Sequence, residues 1–337
     1  MKLFFTLDYE LFLGDDTGTP DNCLVLPMEE LCKVAEKHHF KYIVFVDAAY
    51  LLRMKQLLGN YKEVDRQFEL VCRHILSLSE RGHDIQLHFH PQWLYSSFDV
   101  TQNKWRLERK PYKISDMPEN DIIPLFHQSK ELLDSIIGHK TIAFRAGGYC
   151  LTSFSGFDFL FQNEGIKIDS SVARGLFEST AIHAYDYRNI PQKQIYSFET
   201  DVCKEVIDGP YKELSISSAH WSALKYLLRV RPSMSSFHPL RVYGDGKSIS
   251  DKSHGGAKMK LSIILNKLLK PYINLASIDG IRSCQLTQIY NEAIRKGQKE
   301  LVLIGHPKAT SDASINILDA FVGQCEKAVF CTTNDIL

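Results

Sequence analysis

Two histidines separated by one residue, His88 and His90, stand in the run GHDIQLHFHPQW at residues 82–93 of this 337-residue chain. Residues 84–87 form a short strand-like run, and side chains on a strand alternate between faces, so both imidazoles point the same way. Pro91 follows and ends the strand, because proline cannot donate to a ladder. Two neutral ring nitrogens on one face of a strand end are what a divalent metal ion needs. Hydrogen-bonded histidines at a barrel rim are the alternative.

Four more polar clusters each follow an apolar run. They are Asp8-Tyr9-Glu10, Arg145-Ala146-Gly147-Gly148-Tyr149, Asp169-Ser170-Ser171 and Gly305-His306-Pro307. Parallel α/β barrels keep their chemistry at the C-terminal strand ends, and polar groups gathered there have no structural use. Together the clusters describe hydrolysis of a poor electrophile such as an amide. A metal with an open position polarises the carbonyl and supplies a nucleophile at neutral pH. Asp8 or Glu10 takes the water proton, and the Arg145 guanidinium keeps that carboxylate ionised and in place. His306 protonates the departing amine. Asp169 is the carboxylate expected to orient His306.

These residues need a scaffold of alternating strands and helices, and the chain supplies one. Strand-like runs fall at 2–7, 42–46, 84–87, 141–145, 166–169, 273–278, 301–304 and 328–332. Between them, helical periodicity or composition marks 27–39, 61–81, 121–137, 152–163, 223–231, 258–270, 286–296 and 311–321. The 42–46 run is continuously apolar, as a strand covered on both faces must be. Two stretches, 93–118 and 231–256, read as long loops, and 173–210 as irregular chain with short strands. About seven strand-helix units without a composition break predict one closed or nearly closed (β/α) barrel over residues 1–337. An open doubly wound sheet is the rival, but no GxGxxG follows the first strand.

Composition excludes several classes of partner. Forty basic and 40 acidic side chains cancel, which argues against nucleic acid or an anionic membrane. No window approaches a membrane-spanning apolar run, and the first residues lack a signal-peptide core. The eight cysteines show no metal-ligand spacing, and several sit in apolar runs, as buried thiols of a reducing compartment do. The expected location is cytoplasmic.

Read in order, TLDYE, GHDIQLHFHP, FRAGGY, KIDSSV and LIGHP resemble the successive motifs of the NodB-homology polysaccharide deacetylases, carbohydrate esterase family four. The resemblance runs from Thr6 to His306. It implies a distorted (β/α)7 barrel, and one divalent metal (zinc foremost, with cobalt, manganese, nickel or iron as substitutes) bound by one Asp and two His. It also implies hydrolysis of an N-acetyl group from an amino sugar. Asp8 then corresponds to the general base, Arg145 to the residue orienting it, and His306 to the general acid.

Three departures mark a divergent branch. Tyr9 stands where the family has a metal-binding Asp, so Asp8 or Glu10 must be the third ligand beside His88 and His90. The family's second His would fall at Gln92, and His90 is its natural replacement, with Gln92 a weak oxygen ligand or substrate contact. Arg-Ala-Gly-Gly-Tyr replaces an Arg-x-Pro-aromatic motif. Without a secretion signal, the expected substrate is a nucleotide-linked or lipid-linked N-acetylated amino sugar, or an oligosaccharide, used in surface-polysaccharide assembly. A different metal-dependent amidohydrolase or phosphoesterase barrel, and an inactive carbohydrate-binding barrel, are the competing readings.

Overall fold

A computed structural model describes residues 1–151, 154–226, 228, 234–247, 272–325 and 327–337. The chain opens with strand β1 (Lys2–Tyr9), followed by helix α1 (Leu26–Lys37), β2 (Ile43–Asp47), α2 (Ala48–Gln56), α3 (Lys62–Glu80) and β3 (Asp84–Phe89). A small hairpin of β4 (Ser97–Asp99) and β5 (Lys104–Arg106) precedes α4 (Glu119–Ile137), β6 (Ala143–Ala146), α5 (Asp158–Glu164) and β7 (Ile168–Asp169). A second hairpin, β8 (Phe177–Ser179) and β9 (Ala184–Asp186), leads to β10 (Ile195–Phe198), β11 (Tyr211–Leu214) and β12 (Ser218–Trp221). After β13 (Tyr272–Leu275) come a helix over Leu286–Arg295, β14 (Glu300–Gly305), a helix over Asp312–Gly323, and β15 (Val329–Cys331).

The main sheet runs β10-β11-β7-β6-β3-β2-β1-β14, with β15 also paired to β1. Its neighbours are parallel from β11 to β14, and only β10 joins antiparallel. Ser217 and Ala276 close most of the remaining gap. The Ser217 amide donates to Val302 O at 3.0 Å, and the Ile304 amide donates to Ala276 O at 2.9 Å. The result is the distorted, nearly closed (β/α) barrel that the sequence predicts.

Two apolar clusters follow from strand alternation. Phe4, Ile43, Phe45, Ala143, Ile168, Leu214 and Val302 point inward and fill the barrel. Residues one step away on the same strands, such as Leu3, Leu7, Val44, Leu87 and Phe144, pack beneath the helices. Inward-facing positions near the C-terminal rim carry the polar groups. The barrel floor is therefore apolar, and its mouth is charged.

Most strands and long helices lie where the sequence places them. Helix α3 ends at Gly82, whose φ of 82° would strain any side-chain-bearing residue. Helix α2 is missed because it follows Asp47 with no turn residue and buries Ala48, Ala49, Tyr50, Leu51, Leu52 and Met54. A helix buried on nearly every side shows no amphipathic period. Strands β11 and β12 are also new, and β13 pairs antiparallel with β12 outside the main sheet. The predicted helix at 258–270 lies outside the described residues, as do parts of 152–163, 223–231 and 231–256.

Candidate metal and catalytic site

Register builds the site. Asp47 of β2 lies beside His88, and His88 lies beside Arg145 of β6. On β1, Thr6 and Asp8 face inward and Glu10 follows them, while Tyr9 turns outward. Its hydroxyl meets His74 Nδ1 at 2.7 Å, and His74 Nε2 meets Glu29 Oε1 at 3.0 Å. Tyr9 thus belongs to the packing between strand and helices, and Glu10 is the acidic side chain left facing the histidines.

Glu10, His88 and His90 converge, with one ligand atom from each within 4.8 Å of the others. Glu10 Oε2 lies 2.7 Å from His90 Nε2 and 3.3 Å from His88 Nε2. All three side chains are buried. His88 Nδ1 donates to the Arg145 carbonyl at 2.7 Å. A carbonyl only accepts, so the proton sits on Nδ1, and Nε2 presents its lone pair to the site. His88 Nε2 and Glu10 Oε2 are buried and face each other and His90 Nε2 with no further hydrogen-bond partner, as expected of atoms that converge on a cation. The donor set fits a divalent metal ion.

The local electrostatics agree. Burial opposes charge on His88, yet the Asp8 and Glu10 carboxylates outweigh it and push the imidazole up to about 9. Burial likewise opposes charge on Glu10, but Lys308 and His90 hold its carboxyl well below the ordinary range. Negative charge that attracts a proton here attracts a metal cation equally.

Asp8 and Glu10 have different surroundings. Asp8 lies outside the converging cluster. Its Oδ1 accepts from Arg145 Nη1 at 2.5 Å, and its Oδ2 faces His306 Nε2 at 3.5 Å. Arg145 is fully buried and spends its whole fork on this corner. Nε donates to Ser170 O at 2.9 Å, and Nη2 to Thr6 Oγ1 at 2.9 Å and Ser170 Oγ at 2.8 Å. The guanidinium also lies over the Phe45 ring, 4.2 Å from its centroid. A lysine could reproduce neither the fork nor the stacking.

The expected partnership of Asp169 with His306 is not found. His306 Nδ1 bonds Asp279 Oδ2 at 2.8 Å, and the His306 amide donates to Asp279 Oδ1 at 2.7 Å. Burial alone would lower the His306 imidazole, but Asp279, Asp8 and Glu10 raise it. Asp169 instead accepts from Ser171 Oγ at 2.7 Å, and burial raises its carboxyl beside Glu213, which burial and Asp169 raise further. Asp169 and Glu213 form a buried carboxyl pair that steadies the strand ends behind Arg145. Gln92 is buried, its Oε1 has no hydrogen-bond partner, and it lines a small crevice with Leu13, Glu108 and Tyr112.

Three contributors have no motif to reveal them. Asp47 accepts from the His90 amide at 3.2 Å and keeps Oδ2 unpartnered. Lys308 donates to Glu10 Oε1 at 2.9 Å and to Leu11 O at 2.7 Å. Asp279 lies in the loop between β13 and the helix over Leu286–Arg295. The strand end FVD resembles the others and offered a signal for Asp47. Nothing local marks Asp279 or Lys308.

The rim thus carries a buried carboxylate–dihistidine cluster opposite a His–Asp pair. No family model matches the sequence, and no curated protein matches it. Solved structures do. A polysaccharide deacetylase from Mycobacterium smegmatis superposes with a TM-score of 0.51 at 13% identity, over 99% of this chain and 88% of that one. A GH57 branching enzyme from Thermococcus kodakaraensis superposes with a TM-score of 0.52 at 9% identity, over 99% of this chain and 70% of that one. The fold is thus the NodB-type deacetylase barrel, in a divergent form. A glycan-branching enzyme shares it equally well, so residues rather than topology must identify the chemistry.

Proposed function

We propose that this protein is a metal-dependent N-deacetylase of an amino sugar. The observation that carries the reading is one rim that holds a Glu-His-His cluster, an arginine-clamped aspartate and an aspartate-backed histidine. Glu10, His88 and His90 would hold the ion, zinc being the best match to a two-nitrogen, one-carboxylate donor set. When bound, it supplies Lewis acidity to the amide carbonyl and to water.

The chain's own groups do the proton work. Asp8, held in place by Arg145, accepts the proton of the attacking water. His306 carries a proton on Nε2 toward the departing amine, and Asp279 fixes the ring by accepting from Nδ1–H. Lys308 keeps Glu10 ionised and anchored on the side away from the histidines. The substrate class is an N-acetylated amino sugar, nucleotide-linked, lipid-linked or in an oligosaccharide. Eight free thiols support a reducing, cytoplasmic setting, and no described helix is long and apolar enough to cross a membrane.

The test is acetate release from N-acetylated amino-sugar nucleotides and oligosaccharides, run beside metal analysis. The wild type should contain near-stoichiometric metal and His88→Ala little. His306→Gln should keep its metal and lose about 10²–10⁴ in rate, the usual share of general acid catalysis. Equal metal in wild type and His88→Ala would sink the ligand assignment, and full activity in His306→Gln would sink the acid.

A further inference from the structure

In front of Glu10 and His306 lies a cavity of about 680 Å³. Phe12, Leu13, Tyr112, Ala181, Ile182 and Ala309 make most of its wall, with Ala181 and Ile182 at the tip of the β8–β9 hairpin. A chamber for an ordinary hexosamine should offer amides, carboxylates or guanidinium groups to its hydroxyls. Most of the exposed wall here is apolar, and the polar side chains outside the catalytic set, Tyr112, Thr180, His183 and Lys308, already hold protein partners.

Thr180 Oγ1 accepts from the amides of Ile182 at 3.3 Å and His183 at 2.9 Å, and it donates to His183 O at 3.2 Å. His183 Nε2 is paired with the Tyr112 hydroxyl at 2.9 Å. Lys308 is committed to Glu10 and Leu11. A sugar hydroxyl pressed against this wall would surrender its water without replacement.

Building on the deacetylase reading, we infer that the substrate is a deoxygenated amino sugar. Its ring turns an apolar edge, a methyl where common hexosamines carry a hydroxymethyl, toward the β8–β9 hairpin. Ile182 and Ala181 are then the specificity-determining residues. They stand on the hairpin and not on the strand ends that carry Asp8, Glu10, His88 and His90, so their effect is on substrate choice.

The experiment compares kcat/KM for the methyl glycosides of N-acetyl-6-deoxyglucosamine, N-acetylglucosamine and N-butyrylglucosamine, by acid release from the metal-loaded protein. An apolar pocket rejects an added hydroxyl by at most about 10²-fold, so the 6-deoxy glycoside should be favoured about 10–10²-fold over its hydroxylated counterpart. Ile182→Asn, which adds a hydrogen-bonding amide to the wall, should bring that ratio toward about 1. Ala181→Ser, a smaller change at the same tip, should lower it partway and serves if Ile182→Asn melts early.

Equal or reversed preference between the two acetylated glycosides overturns the inference and leaves the deacetylase reading standing. Preference for the butyryl glycoside without a 6-deoxy preference also overturns it, and gives the chamber to an acyl chain. No acid from any of the three removes both readings together.

Discussion

Replacing Asp279 by Asn tests the site where its logic is most exposed. The carboxylate makes two bonds to His306, one to the amide at 2.7 Å and one to Nδ1 at 2.8 Å. An Asn can keep one acceptor for the backbone amide, but its NH₂ then faces Nδ1. That geometry favours the tautomer with the proton on Nε2 only when the ring is neutral, and it withdraws support from the imidazolium. A charge-assisted hydrogen bond of this kind is worth roughly 1.5–3 kcal/mol. Spread over the His306 titration, that is about 1–2 pK units. Asp279 is among the carboxylates that raise His306, so the alkaline limb of the pH–rate profile, where the acid loses its proton, should move down by about that amount. At a pH above that limb the rate should fall about 10–10²-fold from charge alone, and further where the ring is mispositioned. The assay is kcat against pH for wild type and Asp279→Asn, with metal content measured on both. Metal should be unchanged, because Asp279 lies outside the ligand cluster. An unshifted alkaline limb with kcat within threefold of wild type would refute the assignment of Asp279 to His306.

Two further perturbations probe the surroundings. A Cβ at Gly147 would stand 2.5 Å from His90 Nδ1 and 2.8 Å from the Phe89 carbonyl, so Gly147→Ala must displace the ligand or the strand. Metal affinity, read by competition with a chelator, should fall about 10–100-fold as for other lost supports of ligand orientation, and unchanged affinity would exclude this role. His83, away from the site, accepts from the Tyr42 amide at 3.2 Å, and burial with the Lys41 and Arg81 charges holds it down to about 4. A base depressed in the folded state stabilises it above the unfolded value near 6.5 and loses that contribution as pH falls toward 4. The loss should approach about 3 kcal/mol in denaturant melts, should shrink in His83→Gln, and would be ruled out by an NMR titration of His83 near 6.5.

The barrel and half of its site are determined by local sequence. Continuous apolar runs such as YIVFV declare buried parallel strands, and alternation on a strand already places His88 with His90 and Asp8 apart from Tyr9. Strand ends are where a barrel opens, so Asp8, Glu10, Arg145 and His306 announce themselves by following apolar runs.

Tertiary structure decided what alternation leaves open. Which carboxylate meets the histidines depends on how far β1 extends past β3, a matter of shear between strands distant in sequence. That stagger sets Glu10 beside His88 and His90 and Asp8 beside Arg145. The partner of His306 depends on a loop path, and the loop before Leu286–Arg295 brings Asp279 there while Asp169 turns to Glu213. Asp47 and Lys308 join the site for the same reason, and α2 stays hidden because a helix covered on nearly every side has no polar face to set its period. Spacing along the chain specifies which way a side chain points, and only packing between strands specifies what it meets.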